Sequence, residues 1–136
     1  MSLVLDSSMT LAWCFEDERG PDALAVIARV VERGAWAPRL WRYEVANGLL
    51  MAQRRGRVTG DKRMALLAAL ADLPVTADDE PEGDPWGATS RLADLHGLTV
   101  YDAAYLELAQ RRRLPLATLD GPLRDAAGQA AVPLLP

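Results

Sequence analysis

Hydrophobic residues along the chain fall into short runs, set between longer stretches with helical spacing. Leu3-Val4-Leu5 is an apolar triplet ending at Asp6 and reads as a buried strand. Ser7, Ser8 and Thr10 offer caps for a short helix carrying Leu11, Ala12, Cys14 and Phe15. Glu16 to Gly20 is a polar break. Pro21 opens a second helix to about Glu32, with Leu24, Ile27, Val30 and Val31 at helical spacing and Arg33-Gly34 as its stop. Ala35-Trp36-Ala37 reads as a strand. After Pro38 the pattern predicts a long helix over 39–54, with Leu40, Tyr43, Val45, Ala46, Leu49 and Leu50 as apolar positions and Gly48 as a point of close packing. Gly56 breaks it. Thr59 caps the next helix, whose apolar side is Met64, Leu66, Leu67 and Leu70.

The second half repeats the alternation. Pro74 to Ala77 reads as a strand, followed by an acidic, turn-rich segment from Asp78 to Pro85. A helix from about Trp86 to His96 ends at Gly97. Thr99 stands three residues before Asp102, the spacing of a capping box, and opens a helix to about Arg112. Pro115 to Leu119 reads as a strand closed by Asp120-Gly121, then a short helix over Pro122 to Ala127 and a small strand at Val132 to Leu134. None of the strands shows the polar alternation of a half-solvated sheet. The pattern therefore predicts a three-layer α/β/α fold with a central parallel sheet, in one domain over residues 1–136.

Composition narrows the chemistry. Half of the 136 residues are hydrophobic and a quarter charged, ordinary for a globular domain. A single cysteine, Cys14, excludes an internal disulfide and a cysteine-based zinc site. The first residues carry no signal-peptide pattern and no apolar stretch approaches membrane-spanning length, so a cytoplasmic protein without membrane attachment is expected. The net charge is −4, yet residues 39–63 hold seven basic side chains against two acidic ones, and Arg111, Arg112 and Arg113 form a second basic cluster. The acid is concentrated between Asp72 and Asp84. Arg39, Arg42 and the Arg54–Arg57 stretch are candidates for phosphate contacts or for binding a protein partner.

In an open parallel sheet, ligands bind beyond the carboxyl ends of the strands. Asp6 and Asp120 stand at such ends, Asp102 lies in the first turn of a helix, and Glu44 lies one turn into the long helix after the second strand. The fold would bring the four together. Each has a plainer role as well, since Asp6, Asp102 and Asp120 suit helix caps and turns and Glu44 suits a helix surface. Four carboxylates in one pocket repel one another, and a hard divalent cation such as Mg²⁺ or Mn²⁺ relieves that repulsion with oxygen ligands alone. One or two such ions can support phosphodiester hydrolysis.

Four segments carry a resemblance. They are Val4-Leu5-Asp6-Ser7-Ser8 with Ala12-Trp13, Tyr43-Glu44-Val45-Ala46-Asn47, the stretch from Gly97 to Tyr105, and Leu116-Ala117-Thr118-Leu119-Asp120. In these the chain resembles the PIN-domain family over its whole length, and more narrowly the VapC-like toxins of toxin–antitoxin pairs. The resemblance implies a metal-dependent endoribonuclease with Asp6, Glu44, Asp102 and Asp120 as its acidic, metal-holding cluster, and Thr118 as a supporting hydroxyl. Ser7 would be a second such hydroxyl. It further implies cleavage of structured RNA such as tRNA or rRNA, a homodimer, and a small cognate antitoxin. Gly121-Pro122 departs from the polar or basic residues common at that point in the family. The expected products are a 5′-phosphate and a 3′-hydroxyl.

Other readings stay open. An aspartate-nucleophile phosphatase would want a second aspartate where Ser8 stands, and a signal-receiver domain would want a late lysine, whereas Lys62 is the only lysine. A non-catalytic, metal-containing regulatory or binding protein would use the same cluster for a structural ion. His96, the only histidine, is read as part of a helix C-terminus and Cys14 as a core residue; Trp13, Trp36, Trp41 and Trp86 are read as core or dimer residues.

Overall fold

The computed structural model describes residues 2–136. Strands β1 (Val4–Leu5), β2 (Ala35–Pro38), β3 (Val75–Asp78) and β4 (Leu116–Ala117) form one sheet in the order β3-β2-β1-β4, every pair parallel. Parallel neighbours need crossovers. Helices α1 (Ser7–Cys14) and α2 (Pro21–Arg33) link β1 to β2; α3 (Leu40–Arg54) and α4 (Gly60–Ala71) link β2 to β3. A 3₁₀ turn (Pro81–Gly83), α5 (Ala88–His96) and α6 (Val100–Arg112) lead to β4, and α7 (Gly121–Gln129) follows it. The strand expected at Val132 to Leu134 reduces to a single parallel bridge between Leu134 and Leu116.

Val4, Leu5, Leu116 and Ala117 are all fully buried. Successive strand side chains point to opposite faces, so helices cover both sides of the centre, and the three-layer arrangement follows. The edge strand β3 is less covered: Val75 packs against the core, but Thr76 and Ala77 are exposed. It is tied down by charge instead: Arg111 reaches Asp78 (2.6 Å), Glu107 (2.7 Å) and Glu80 (3.3 Å), and Arg112 reaches Glu80 (2.6 Å) and Asp78 (3.4 Å). The Arg112 guanidinium also lies 3.4 Å from the Trp36 ring centroid. The Arg111–Arg113 cluster is therefore not a free basic patch, because two of its members neutralise the acidic run after β3.

Several apolar faces differ from their expected positions. Leu24, Val31, Tyr43 and Met64 are exposed, whereas Ala23, Val26 and Ala52 are buried beside the expected Ile27, Val30, Trp41, Val45 and Leu49. The buried faces of α2 and α3 are those where alanines allow close approach. Gly48 fits that geometry: a Cβ there would stand 2.6 Å from Leu11 Cδ1, so any larger residue would have to displace the Leu11 side chain from where α1 meets α3. Trp41 is in the core and donates from Nε1 to Thr10 Oγ1 (3.0 Å), but Trp86 is 93% exposed and belongs to no core. Cys14 is buried, and burial pushes its thiol up to about 11. His96 is the last residue of α5, its Nδ1 lies 3.2 Å from Gln129 Oε1, and Gly97 (φ 65°) ends the helix in the left-handed region.

Candidate active site

The chain leaves β1 towards β2 on one side of the sheet, while β4 lies on the other side of β1. The carboxyl ends of β1 and β4 are thus the point where the winding reverses, the expected place for a ligand crevice. Asp6 and Asp120 both stand there. The Asp6 amide donates to Ala117 O (3.0 Å), which holds it level with the end of β4.

Asp6 is the N-cap of α1, its Oδ1 accepting from the Ser7 amide (2.8 Å). The cap is Asp6 itself rather than Ser7, Ser8 or Thr10. Its Oδ2 accepts from Ser8 Oγ (2.6 Å) and from Thr118 Oγ1 (2.6 Å). Asp120 is likewise the N-cap of α7, accepting from the Leu123 amide (3.0 Å), and its own amide donates to Thr118 Oγ1 (3.1 Å). Ser8 Oγ also accepts from the Leu119 amide (3.0 Å). Ser8 and Thr118 therefore stitch the start of α1 to the loop that carries Asp120.

Glu44 comes from the second turn of α3. Its Oε1 accepts from Tyr105 Oη (2.6 Å) and from Ser7 Oγ (3.2 Å). Tyr105 is fully buried, and α6 presents it one turn beyond Asp102. Asp102 is the third residue of α6, its amide capped by Thr99 Oγ1 (3.1 Å).

The charges act on one another. Burial pushes the Asp6 carboxyl above its usual range; Ser8, Thr118 and the Ser7 amide pull it back in part, and Asp120 pushes it further up. Burial raises Glu44 too, opposed by Tyr105 and helped by the charge of Asp6. For Asp102, burial comes first, then the charges of Asp120, Asp6 and Glu44, and together they push it up to about 6. Burial, then the charge of Asp6, raises the Tyr105 hydroxyl, so it stays a proton donor to Glu44. All four sequence candidates and Thr118 thus meet at one sheet edge. Among the described residues, however, no three acidic, histidine or cysteine groups are already drawn into a metal cage. Hydroxyls and an amide hold Asp6 and Glu44 in their places instead.

Sequence reasoning missed two members. Tyr105 carried a signal, three residues after Asp102 on the same helix face. Ser8 carried a weaker one, two residues after Asp6 within the first motif, where its hydroxyl reads as a cap and not as a support for Asp6.

The fold and this edge define the class: residues 3–129 match the PIN domain, and the chain belongs to that family. Nucleases of this family generally use divalent metal ions. The chain is similar to Ribonuclease VapC3 of Pyrobaculum aerophilum, 33% identical over 125 residues, covering 92% of this chain and 94% of that one. The crystal structure of PAE2754 from Pyrobaculum aerophilum superposes with a TM-score of 0.68 at 27% identity, over 93% of this chain and 86% of that one. FitAcB from Neisseria gonorrhoeae shares the fold, with a TM-score of 0.68 at 17% identity over 98% of this chain and 96% of that one.

Proposed function

We propose that this chain is an endoribonuclease dependent on Mg²⁺ or Mn²⁺, the toxin of a toxin–antitoxin pair, acting in the cytoplasm. The reading rests on one observation: three carboxylates from distant parts of the chain, Asp120, Asp6 and Glu44, load negative charge onto Asp102 at the carboxyl edge of the sheet. The donor set is all oxygen, which suits a hard cation. Among the described residues, Glu44 Oε2 and Asp120 Oδ1 accept no hydrogen bond and are open to a ligand. Asp6, Glu44, Asp102 and Asp120 are the proposed metal-holding residues, and Thr118, Ser8, Ser7 and Tyr105 orient Asp6 and Glu44. A divalent ion held there would neutralise the cluster, bind phosphodiester oxygens and lower the pKa of water.

The 33% identity to a protein named Ribonuclease VapC3 supports RNA as the substrate. A structured RNA such as tRNA or rRNA, a small antitoxin and a homodimeric assembly belong to the same proposal. An Asp6 nucleophile, as in a phosphatase, fits poorly: the side chain is 2% exposed and both its oxygens already accept hydrogen bonds.

The test is cleavage of an RNA pool by the purified chain, freed of any partner, with the ends sequenced. Cleavage should need Mg²⁺ or Mn²⁺, stop in EDTA, leave 5′-phosphates, and vanish in Asp6→Asn with the far-ultraviolet circular dichroism kept. Full activity in EDTA, or 2′,3′-cyclic phosphate ends, would overturn it.

A further inference from the structure

The residue directly before each of three site carboxylates is large, apolar and open to solvent. Tyr43 precedes Glu44 and is 81% exposed, Tyr101 precedes Asp102 and is 64% exposed, and Leu119 precedes Asp120 and is 44% exposed. Single exposed apolar side chains are ordinary on a protein surface, but three that each adjoin a carboxylate of the same cluster point to a surface that a ligand covers. On a helix, neighbouring positions point about 100° apart. Glu44 and Asp102 can therefore turn towards the crevice while Tyr43 and Tyr101 stand at its rim.

Two cavities open beside these rings. One, of about 420 Å³, is lined by Arg39, Arg42, Tyr43 and Ala77. The other, of about 440 Å³, lies beyond the ends of β2 and β3, with Pro38, Leu40, Val100 and Tyr101 among its walls. Arg39 lines both. Its guanidinium is exposed, with only a long contact to Asp79 (3.9 Å). Arg42 is exposed and has no ion pair or hydrogen bond among the described residues. Two available guanidinium groups, Arg39 shared by both cavities and Arg42 beside Tyr43, with an open phenol ring in each cavity, match a chain of phosphates carrying flat bases. The acidic wall of the second cavity is silenced only in part: Asp78, Glu80 and Glu107 are bound to Arg111 or Arg112, while the exposed Asp79 and Asp84 are not, so the phosphates belong on the Arg39 and Arg42 side.

We infer that Tyr43 and Tyr101 are specificity-determining residues that stack unpaired nucleobases on either side of the cleaved bond, with Arg39 and Arg42 holding the neighbouring phosphates. This rests on the nuclease reading above and adds the residues that select the substrate. Duplex RNA keeps its bases stacked on one another and offers no face to these rings, so the rim favours loops and single strands.

The test uses the full chain and an unpaired oligoribonucleotide with one mapped cleavage site. Matched copies lack the base on one or the other side of that site. Tyr43→Ala and Tyr101→Ala should each raise KM about tenfold or more on the intact strand, the weight of one base on an aromatic ring. Tyr43→Phe and Tyr101→Phe should restore it. Each alanine effect should disappear on the strand lacking the base that the ring contacts. Equal losses on intact and base-free strands would mean a merely structural role and overturn the inference. So would unchanged KM, or weakened binding of a co-expressed protein partner with RNA kinetics untouched. If the wild type cuts no RNA, the nuclease reading falls, and fluorescence anisotropy with the same strands still decides the role of the tyrosines.

Discussion

Thr118 Oγ1 donates to Asp6 Oδ2 across 2.6 Å, joining the ends of two adjacent parallel strands through a pair of buried side chains. The same oxygen accepts from the Asp120 amide. Thr118→Val keeps the shape but removes both bonds. We expect a loss of about 1–2 kcal/mol in urea unfolding, the cost of buried polar groups left unpaired, and a fall in kcat of at least about tenfold because Asp6 and Asp120 lose their common tether. Thr118→Ser should restore most of both. A valine variant with normal kcat would remove Thr118 from the site.

Asp102 gives a pH dependence. Its carboxyl is raised from 3.8 to about 6, and Asp6 and Glu44 are raised as well. A folded-state value above the unfolded one favours the protonated form. This contribution to stability is complete below the unfolded value and is lost as pH climbs through about 6. Asp78 is opposite in sign, because Arg111 and Arg112 overcome the effect of its burial and lower it, so its contribution fades only below the ordinary aspartate range. Without divalent ions, Tm should therefore drop as pH is raised from about 5 to about 7. Adding Mn²⁺ should lift Tm more at the upper pH than at the lower. Differential scanning fluorimetry reads both; an equal Mn²⁺ effect at the two pH values would contradict the assignment.

Arg111→Ala tests the tie on β3. It leaves Asp78 and Glu107, both nearly buried, without their closest cation. Arg112 still reaches Asp78, so the expected cost is about 2–3 kcal/mol in chemical denaturation, below that of a fully broken buried pair. RNA affinity and its salt dependence should stay close to wild type. A marked drop in the salt slope would mean that Arg111 binds phosphate after all.

Gly48→Ala adds a good helix former, worth about 1 kcal/mol by propensity, but drives the new methyl into Leu11. Both Leu11 Cδ atoms lie within 3.0 Å of the added carbon, so the leucine must leave its present position and repack between the two helices. Overpacking should win, with net destabilisation of about 1 kcal/mol. Combining it with Leu11→Ala should recover part of the loss, a non-additivity that a double-mutant cycle would detect.

The order of elements was readable because short apolar runs and capped helical stretches differ in length and punctuation. Val4-Leu5 ends at Asp6, and Thr59, Gly97 and Thr99 sit at the boundaries their chemistry predicts. The convergence of the four carboxylates was readable for a geometric reason: parallel strands send the residues that follow them to one edge. Which side of a helix is buried was less readable. Leu24 and Tyr43 lie at helical spacing with core residues, but Ala23 and Ala52 let the sheet and neighbouring helices come closer on another face. Spacing fixes a period and leaves its phase to packing. The partners of Arg111 and Arg112 were hidden for a related reason. The acidic run after β3 and the arginines of α6 are over thirty residues apart, and only the crossover brings them together.

Asp6 and Asp120 each also close the first turn of a helix. A descendant that gave up catalysis by placing alanine at either site would loosen its own frame as well. Asparagine or serine, which still accept an amide proton, are the exits that spare the architecture. A silenced copy of this chain should therefore betray itself through those replacements, long before any larger decay.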